Sequence, residues 1–555
     1  MFNFFLFSRR TAQRLAAGAV LGLLVLLVPG VCRAAQSPSA PPIQHSAADR
    51  GRILLVIPFD NRTGELNLDW IREAAANLLS SRFASAGFAP MTRADRVYAL
   101  DHLGLPPNFQ PSRASEIKLA QTLDADSIIV GSFSLNGQDL VAQAEVVNVP
   151  HLKMLAAVSA QGPMTSMIAI FDRLAWKLTR QLDPSLNVAE ETFVAEGSSL
   201  HLSAYEQYIR GITEPDQAER MRHLATSVKL SPDFSPAWMA LGREEYRSQQ
   251  YDRAADAFSK VDRKGPDGLE ASFYRGLSLL FSGNYPEAYK EFADVAKTLP
   301  LAEVVNNEGV ALSRQGRDGT PLFIQAAADD PRDADYHFNL AVSLKRHGNS
   351  TAALNELTQC LKLRPNDSEA ASLLQAWKYP AAATAVASTA TVDPPAAPDP
   401  LERIARTFDE TAFRQASQML DEMDARRVAA LSPQQRAKTF CMQAKGYLSR
   451  GLVLEAERLY QMAATADPKS ADAHLGLARV RLRSGDLQGA RREARQALAL
   501  TPSADAHLIL ARADLAAHDL KNAQAEAESA IQADPSNTEA QQLLHRIQTS
   551  TVPAR

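Results

Sequence analysis

Prolines return at nearly fixed steps along most of this chain: Pro232, Pro266 and Pro300, then Pro331 and Pro365, then Pro468, Pro502 and Pro535. The usual step is 34 residues, shortened at Pro331 and Pro535. A period in that range is what stacked helix pairs produce, because one pair cannot bury its apolar side alone. Such solenoids offer long continuous surfaces to other chains and rarely hold catalytic machinery.

Counting back from each proline, residue types recur. Small residues stand twenty-four before it: Gly242, Gly276, Ala341, Ala444 and Ala478. Alanine stands twelve before it at Ala254, Ala288, Ala353, Ala456, Ala490 and Ala523. A large side chain often stands eight before it, as at Phe258, Phe292, Phe323, Leu357 and Tyr460. Antiparallel helices approach closely only where a small residue meets a bulky one. Proline then ends the second helix, since it lacks the backbone donor and clashes with the preceding turn.

This pattern is similar to the tetratricopeptide repeat (TPR). The unit Trp238, Leu241, Gly242, Ala254, Phe258, Val261, Pro266 carries the resemblance best. Ala494 and Ala527 replace the bulky residue in the last two units, which are expected to pack more thinly.

The N-terminus reads differently. Arg9, Arg10 and Arg14 flank an apolar run, Leu15 to Val28, followed by Pro29, Gly30 and small residues. A charged start, a short apolar core and a cut after Ala34 describe a secretory signal peptide over 1–34. An uncleaved inner-membrane anchor is the competing reading. Residues 35–50, rich in Ser, Ala and Pro, are expected to be a flexible tether.

Residues 51–184 alternate strand and helix signals. Ile53 to Phe59 reads as a buried strand, Leu68 to Ala86 as an amphipathic helix, and Phe88 to Thr92 as a second strand. Ser115 to Leu123 reads as a helix, Ser127 to Phe133, Leu140 to Val149 and Lys153 to Ala160 as strands, and Met164 to Leu182 as a closing helix. The stretches Val56–Asn61, Asp69-Trp70 and Ala125–Ser132 resemble TolB amino-terminal-like and FlgO-like domains. That resemblance implies assembly or sensing roles in an envelope setting and brings no active site.

The fold class is therefore mainly α: two TPR solenoid arrays preceded by a small α/β domain. The first array is expected over 185–379, an Ala/Pro-rich linker over 380–400, and the second array over 401–550, opening with an irregular helix pair at Leu401 to Arg426 and closing with a capping helix.

No phosphate loop, dinucleotide glycine pattern, nucleophile elbow or zinc-protease histidine pair is present. Ser115 and Lys118 have serine–lysine spacing without companion motifs. Asp124 and Asp126 flank a strand start and are expected to shape a turn. His337, His474 and His507 share the repeat position of Trp238 and read as packing residues rather than ligands. Cys360 sits at a small inward position, and with Cys441 makes no disulfide framework. The expectation is no enzyme, no cofactor and no metal.

One constellation points to binding. The resemblance implies that first helices line the concave groove. One groove position holds Arg243, Lys445, Arg479 and Arg512; a turn later stand Arg247, Arg346 and Arg483. Residues four apart share a helix face. Such guanidinium rows suit acidic peptide segments or a C-terminal carboxylate, although surface arginines are common on repeat proteins. Nucleic acid is disfavoured: net charge is −4 and no aromatic platform accompanies the cations. The reading is an exported, non-enzymatic adaptor of the bacterial cell envelope, periplasmic or anchored in the inner membrane. The alternatives are a ligand- or glycan-sensing α/β module relayed by the arrays, and a membrane-anchored assembly factor.

Overall fold

The computed structural model describes residues 52–106, 112–197, 200–379, 400–406, 423 and 425–550. The expected signal or anchor segment, the tether, all of the linker before Pro400 and most of the helix pair at 401–426 lie outside the described residues. Among those described, no helix is long and apolar enough to cross a membrane. The chain divides into two compact units, one drawing on Trp238–Ala416 and the other on Ala47–Ala237 together with Ser417–Arg555.

The second of these contains a mixed sheet. β1 (Ile53–Val56) lies between β3 (Ala89–Pro90) and β4 (Ser127–Asn136), parallel to both. β2 (Asp60–Asn61) also runs parallel to β4. β4 then turns at Gly137, where φ is +62°, into the antiparallel β5 (Asp139–Asn148). β6 (Lys153–Met154) and β7 (Val158–Pro163) pair with β5, so the single strand expected over Lys153 to Ala160 is two.

Alternation along the strands sends side chains to both faces. α1 (Trp70–Ser85) and α4 (Met167–Leu182) cover one face, burying Leu54, Val56, Phe83, Ile129, Phe171 and Leu174. α2 (Arg93–His102) and α3 (Arg113–Thr122) cover the other, over Leu55, Ile57, Ile128 and Val147. Of these, α2 is absent from the sequence reading; it opens with a capping box between Thr92 and Asp95. A buried ion pair, Arg82 Nε to Asp172 at 2.7 Å, ties α1 to α4.

The start of the first array is a correction. α5 (Glu190–Glu196), α6 (Leu202–Thr213) and α7 (Gln217–Leu230) belong to the same compact unit as the sheet domain. Tyr205 of α6 is buried in the α1/α4 core and donates its hydroxyl to Asn77 Oδ1 at 2.8 Å. The apolar side of α6, with Tyr205 and Ile209, finds its complement in that core.

Array helices follow the interlocking expected from the sequence. In the unit after Trp238 run α8 (Ser235–Arg247), α9 (Tyr251–Ser259), α10 (Gly268–Phe281), α11 (Tyr285–Thr298), α12 (Ala302–Ser313), α13 (Thr320–Asp329), α14 (Ala334–Arg346), α15 (Ser350–Leu363) and α16 (Ser368–Lys378). A Cβ on Gly242, Gly276 or Gly309 would come within 2.8 Å of Phe258, Phe292 or Phe323 respectively. Glycine there sets the interhelical distance.

The second array comprises α17 (Pro433–Ser449), α18 (Val453–Ala466), α19 (Ala471–Ser484), α20 (Leu487–Leu500), α21 (Ala504–Ala516), α22 (Leu520–Ala533) and α23 (Thr538–Ser550). Its last core is built from Ala511, Ala523, Ala527 and Ala530 with Leu508, Leu543 and Ile547. This array docks on the sheet domain. Leu454 enters the α1/α4 core, and buried Glu457 accepts hydrogen bonds from Ala189 N (3.3 Å), Thr192 Oγ1 and Arg481 Nε (3.1 Å). Burial raises the Glu457 carboxyl above its ordinary range, against the pull of Arg481.

Candidate functional site

Seven residues that sequence reading gave to the end of the linker and to the second array do something else. Pro400–Arg406 runs extended, with no helix, along the first helices α12, α14 and α16 of the first array. This corrects the expectation of a helix opening at Leu401, at least as far as Arg406.

Main-chain recognition is carried by three buried asparagines. Asn339 donates from Nδ2 to Arg403 O (2.7 Å) and accepts from Arg403 N (2.6 Å). One unit earlier, Asn307 donates to Ala405 O (2.8 Å) and accepts from Ala405 N (2.9 Å). Asn306 braces both: it donates to Arg403 O at 3.2 Å and accepts from Asn339 Nδ2 at 2.8 Å. A carboxamide offers one donor side and one acceptor side, which matches the edge of an extended residue. In a strand, residues i and i+2 present the same edge. Two asparagines one repeat apart therefore read alternate residues.

Side chains supply the rest. The Glu402 carboxylate, with no exposed surface, meets Arg346, Ser313 Oγ and Arg314 Nε, the last at 3.0 Å. Arg346 also donates to Pro400 O at 2.7 Å. Arg403 points the opposite way, its guanidinium 3.6 Å from the centre of the Phe338 ring. It donates to Asp367 (2.6 and 2.9 Å), Asp335 (2.9 Å) and Glu369 (2.9 Å). These bonds, led by Arg403's own, hold the Asp367 carboxyl down at about 2. Burial disfavours the charge on Arg403, but the three carboxylates outweigh it and raise its pKa. Ile404 and Ala405 lie against the apolar cluster of Phe273, Leu277 and Val310, and Arg406 over Phe281 at 5.2 Å.

The arginines picked out by sequence spacing have separate fates. Arg346 is in this site. Arg243 pairs with Glu270 and Arg247 with Glu244. In the second array, Arg479, Arg483 and Arg512 line one open cleft of about 410 Å³ with Leu482, Leu508 and Ile509. There Arg479 pairs with Asp505 and Arg512 with Glu539, while Arg483 donates to Leu448 O at 3.0 Å. Lys445 is exposed on α17.

Arg314 was missed because its unit is short. Twenty-four before Pro331 falls on Asn307, which hides Gly309; five past Gly309 stands Arg314, the position of Arg247, Arg346 and Arg483. For the ladder itself the signal is the adjacent pair Asn306-Asn307 in mid-helix, where asparagine is a poor helix former unless its side chain has other work.

His337, His474 and His507 each turn Nδ1 to a glutamate nineteen residues on, Glu356, Glu493 and Glu526, at 2.6–2.8 Å. They join the two helices of a pair. Cys360 is buried, which pushes its thiol up to about 11. Asp124 has φ +52°, a turn conformation, whereas the Asp126 carboxylate accepts from Ile53 N of β1 at 3.0 Å and so ties two strands rather than shaping the turn. Among the described residues, no group of three or more His, Cys, Asp or Glu is placed to hold a metal ion. The sheet domain has a polar cleft of about 370 Å³, where Arg113 pairs with Glu116 (3.2 Å) and Glu145 beside Asp60, Arg62 and Gln143.

The tetratricopeptide repeat family matches the chain over 239–302, 313–368 and 441–505. No curated protein matches it. Among solved structures it is similar to MamA (41-end) from Desulfovibrio magneticus RS-1, at 21% identity over 32% of this chain and 99% of that one, TM-score 0.27. It is also similar to YrrB, titled a TPR protein with an unusual peptide-binding site: 16% identity, 36% and 98% covered, TM-score 0.28. A third is the LpoB C-terminal domain from Escherichia coli, at 24% identity over 22% and 88%, TM-score 0.19. Likenesses at this level bring no partner or activity with them. What the family match and the interlocked helix pairs establish is that both helical arrays of this chain carry tetratricopeptide repeats.

Proposed function

We propose that this chain is a non-enzymatic adaptor of the bacterial cell envelope, holding partner proteins as extended segments in the concave grooves of its repeats. The observation that supports this most is the asparagine ladder, which already grips a peptide main chain at Arg403 and Ala405. Carboxamides that pair with backbone N–H and C=O bind any extended segment, and flanking charges select among them. The cationic cleft of Arg479, Arg483 and Arg512 extends the reading to acidic segments or a C-terminal carboxylate.

Export rests on the Arg9–Val28 pattern, and an uncleaved form of that segment anchors an assembly factor in the inner membrane. The TolB-like and FlgO-like resemblance of 51–184 fits the same setting. Mass measurement of the mature N-terminus separates the cleaved from the anchored form. A mature protein found wholly in the cytosol ends the envelope assignment.

To test the adaptor role, a photo-crosslinking residue is placed at Arg247 or Lys445 on first helices, and at Thr358 or Glu528 on second helices, in living cells. Partner adducts are expected at the first pair of positions only. Equal capture at all four, or none anywhere, removes the groove from the mechanism.

The cleft at Arg113, Glu116 and Glu145 favours a second reading, a sensor of small polar ligands or glycans. Burial raises the Glu116 carboxyl, so ligand binding there is expected to depend on pH. A thermal-shift screen of the full chain with envelope glycans checks it, since a ligand specific to the folded state raises the melting temperature.

A further inference from the structure

We propose that Pro400–Arg406 is a built-in occupant of the first array's groove, and that a partner segment with its order of side chains, acidic then basic then aliphatic, displaces it. This rests on the peptide-binding reading above.

The seven residues behave as a ligand in every contact they make. Their main chain is read by Asn307 and Asn339, two equivalent positions one repeat apart. The acidic residue, Glu402, fills a socket of Arg314, Arg346 and Ser313; the basic one, Arg403, fills a socket of Asp335, Asp367 and Glu369 over Phe338. Ile404 supplies the apolar contact. The two sockets have opposite charge and lie at consecutive residues, so they fix both the register and the direction of the bound segment.

A permanent strut would be built differently. Buried ion pairs roughly break even, because losing hydration offsets most of the attraction, whereas an apolar plug of the same volume holds more tightly. Charged and carboxamide contacts instead give specificity with modest net affinity, which suits exchange. Attachment compensates for that modest affinity. Residues 380–399 join the segment to α16 along the chain, and covalent attachment over so few residues sets an effective concentration on the order of millimolar. A competitor in free solution must overcome that advantage, so its apparent affinity falls by the fraction of chains whose groove is empty.

The test uses a fluorescent peptide of residues 399–407 and three full-length proteins: wild type, Glu402→Ala plus Arg403→Ala, and that double variant with Asn307→Ala and Asn339→Ala added. With its own segment weakened, the double variant is expected to bind the peptide at least about tenfold more tightly than wild type, given a tethered competitor at millimolar effective concentration. Removing the two asparagines is expected to abolish that gain, and a peptide with alanine at the two charged positions is expected to bind at least tenfold more weakly. Equal, measurable binding by wild type and double variant overturns the occupant while leaving the groove reading standing. Binding by neither overturns both, as does tight binding that survives loss of the asparagines.

A second measurement needs no substitution. In wild type, millimolar peptide is expected to speed hydrogen exchange at the Arg403 and Ala405 amides, because displacement exposes them. Exchange that stays constant as peptide is added sinks displacement even if the variants misfold.

Discussion

The two grooves of this chain are made from the same repeat and recognise different chemistry. Two residues before the small residue of each first helix, the first array has Ala240, Tyr274, Asn307 and Asn339, where the second has Met442, Gly476 and Ile509. One residue after it, the first array has Arg243, Leu277, Val310 and Val342, where the second has Lys445, Arg479 and Arg512. Where Pro400–Arg406 lies, the first floor is thus carboxamide and aliphatic, from Asn307, Asn339, Val310 and Val342, fitted to a peptide's main chain. The second is cationic, fitted to carboxylates, and two of its arginines already borrow acidic partners two helices on, Asp505 and Glu539. A TPR groove's preference is set by a few side chains on a shared scaffold, and the scaffold alone does not announce it.

The largest effect that could break this contrast comes from Arg314→Ala with Arg346→Ala. It leaves the Glu402 carboxylate buried without its cations, a loss of about 3–5 kcal/mol in segment docking. Hydrogen exchange at Arg403 is expected to approach the unprotected rate, and protection that persists contradicts the socket. Asn339→Leu comes next. It leaves the Arg403 N–H unpaired and its carbonyl with Asn306 alone, at a cost of about 1–3 kcal/mol, visible in the same amide.

Transplanting the ladder probes the other groove. Gly476 stands where an asparagine would be needed, but a Cβ there would lie 2.1 Å from the Tyr460 ring. Gly476→Asn is therefore expected to destabilise the second array by about 1–3 kcal/mol through overpacking; an unchanged melting temperature would show that the helices can separate to admit it.

Acid sharpens the comparison further. The Asp367 carboxyl is held down at about 2 from an ordinary 3.8 by its bonds to Arg403. A depressed carboxylate contributes stability that is present above 3.8 and is lost as pH falls through about 2. Docking of 400–406 is expected to weaken across that window, followed by exchange at Ala405; docking that strengthens on acidification would reverse the assigned sign.

The smallest effect belongs to the exposed pairs of the second array. Arg479→Ala or Arg512→Ala is expected to cost only about 0.2–1 kcal/mol each in stability. Binding of an acidic peptide at low salt is expected to fall much more with Arg479→Ala plus Arg483→Ala, and unchanged affinity would leave the cleft without a ligand role.

Much of this architecture was legible because it is local and repeated. Small residues facing phenylalanines, alanines at a fixed offset and terminal prolines each act within one helix pair, so their spacing survives in the chain. The three second-array arginines were legible for the same reason, since a helix turn brings fixed offsets together. Arg314, Asn306 and Asn307 were obscured where one unit lost three residues and the count from Pro331 slipped off Gly309.

Sequence by itself determined that this protein stacks helix pairs behind an α/β sheet domain, since periodicity and patterning encode which faces must be buried. Only the tertiary structure decided that α5–α7 belong to the same compact unit as the sheet domain and that Pro400–Arg406 lies in the first groove. Those choices join residues such as Asn307 and Ala405, 98 positions apart. Complementary charge and matched hydrogen-bonding edges make that contact, and neither leaves a period along the chain.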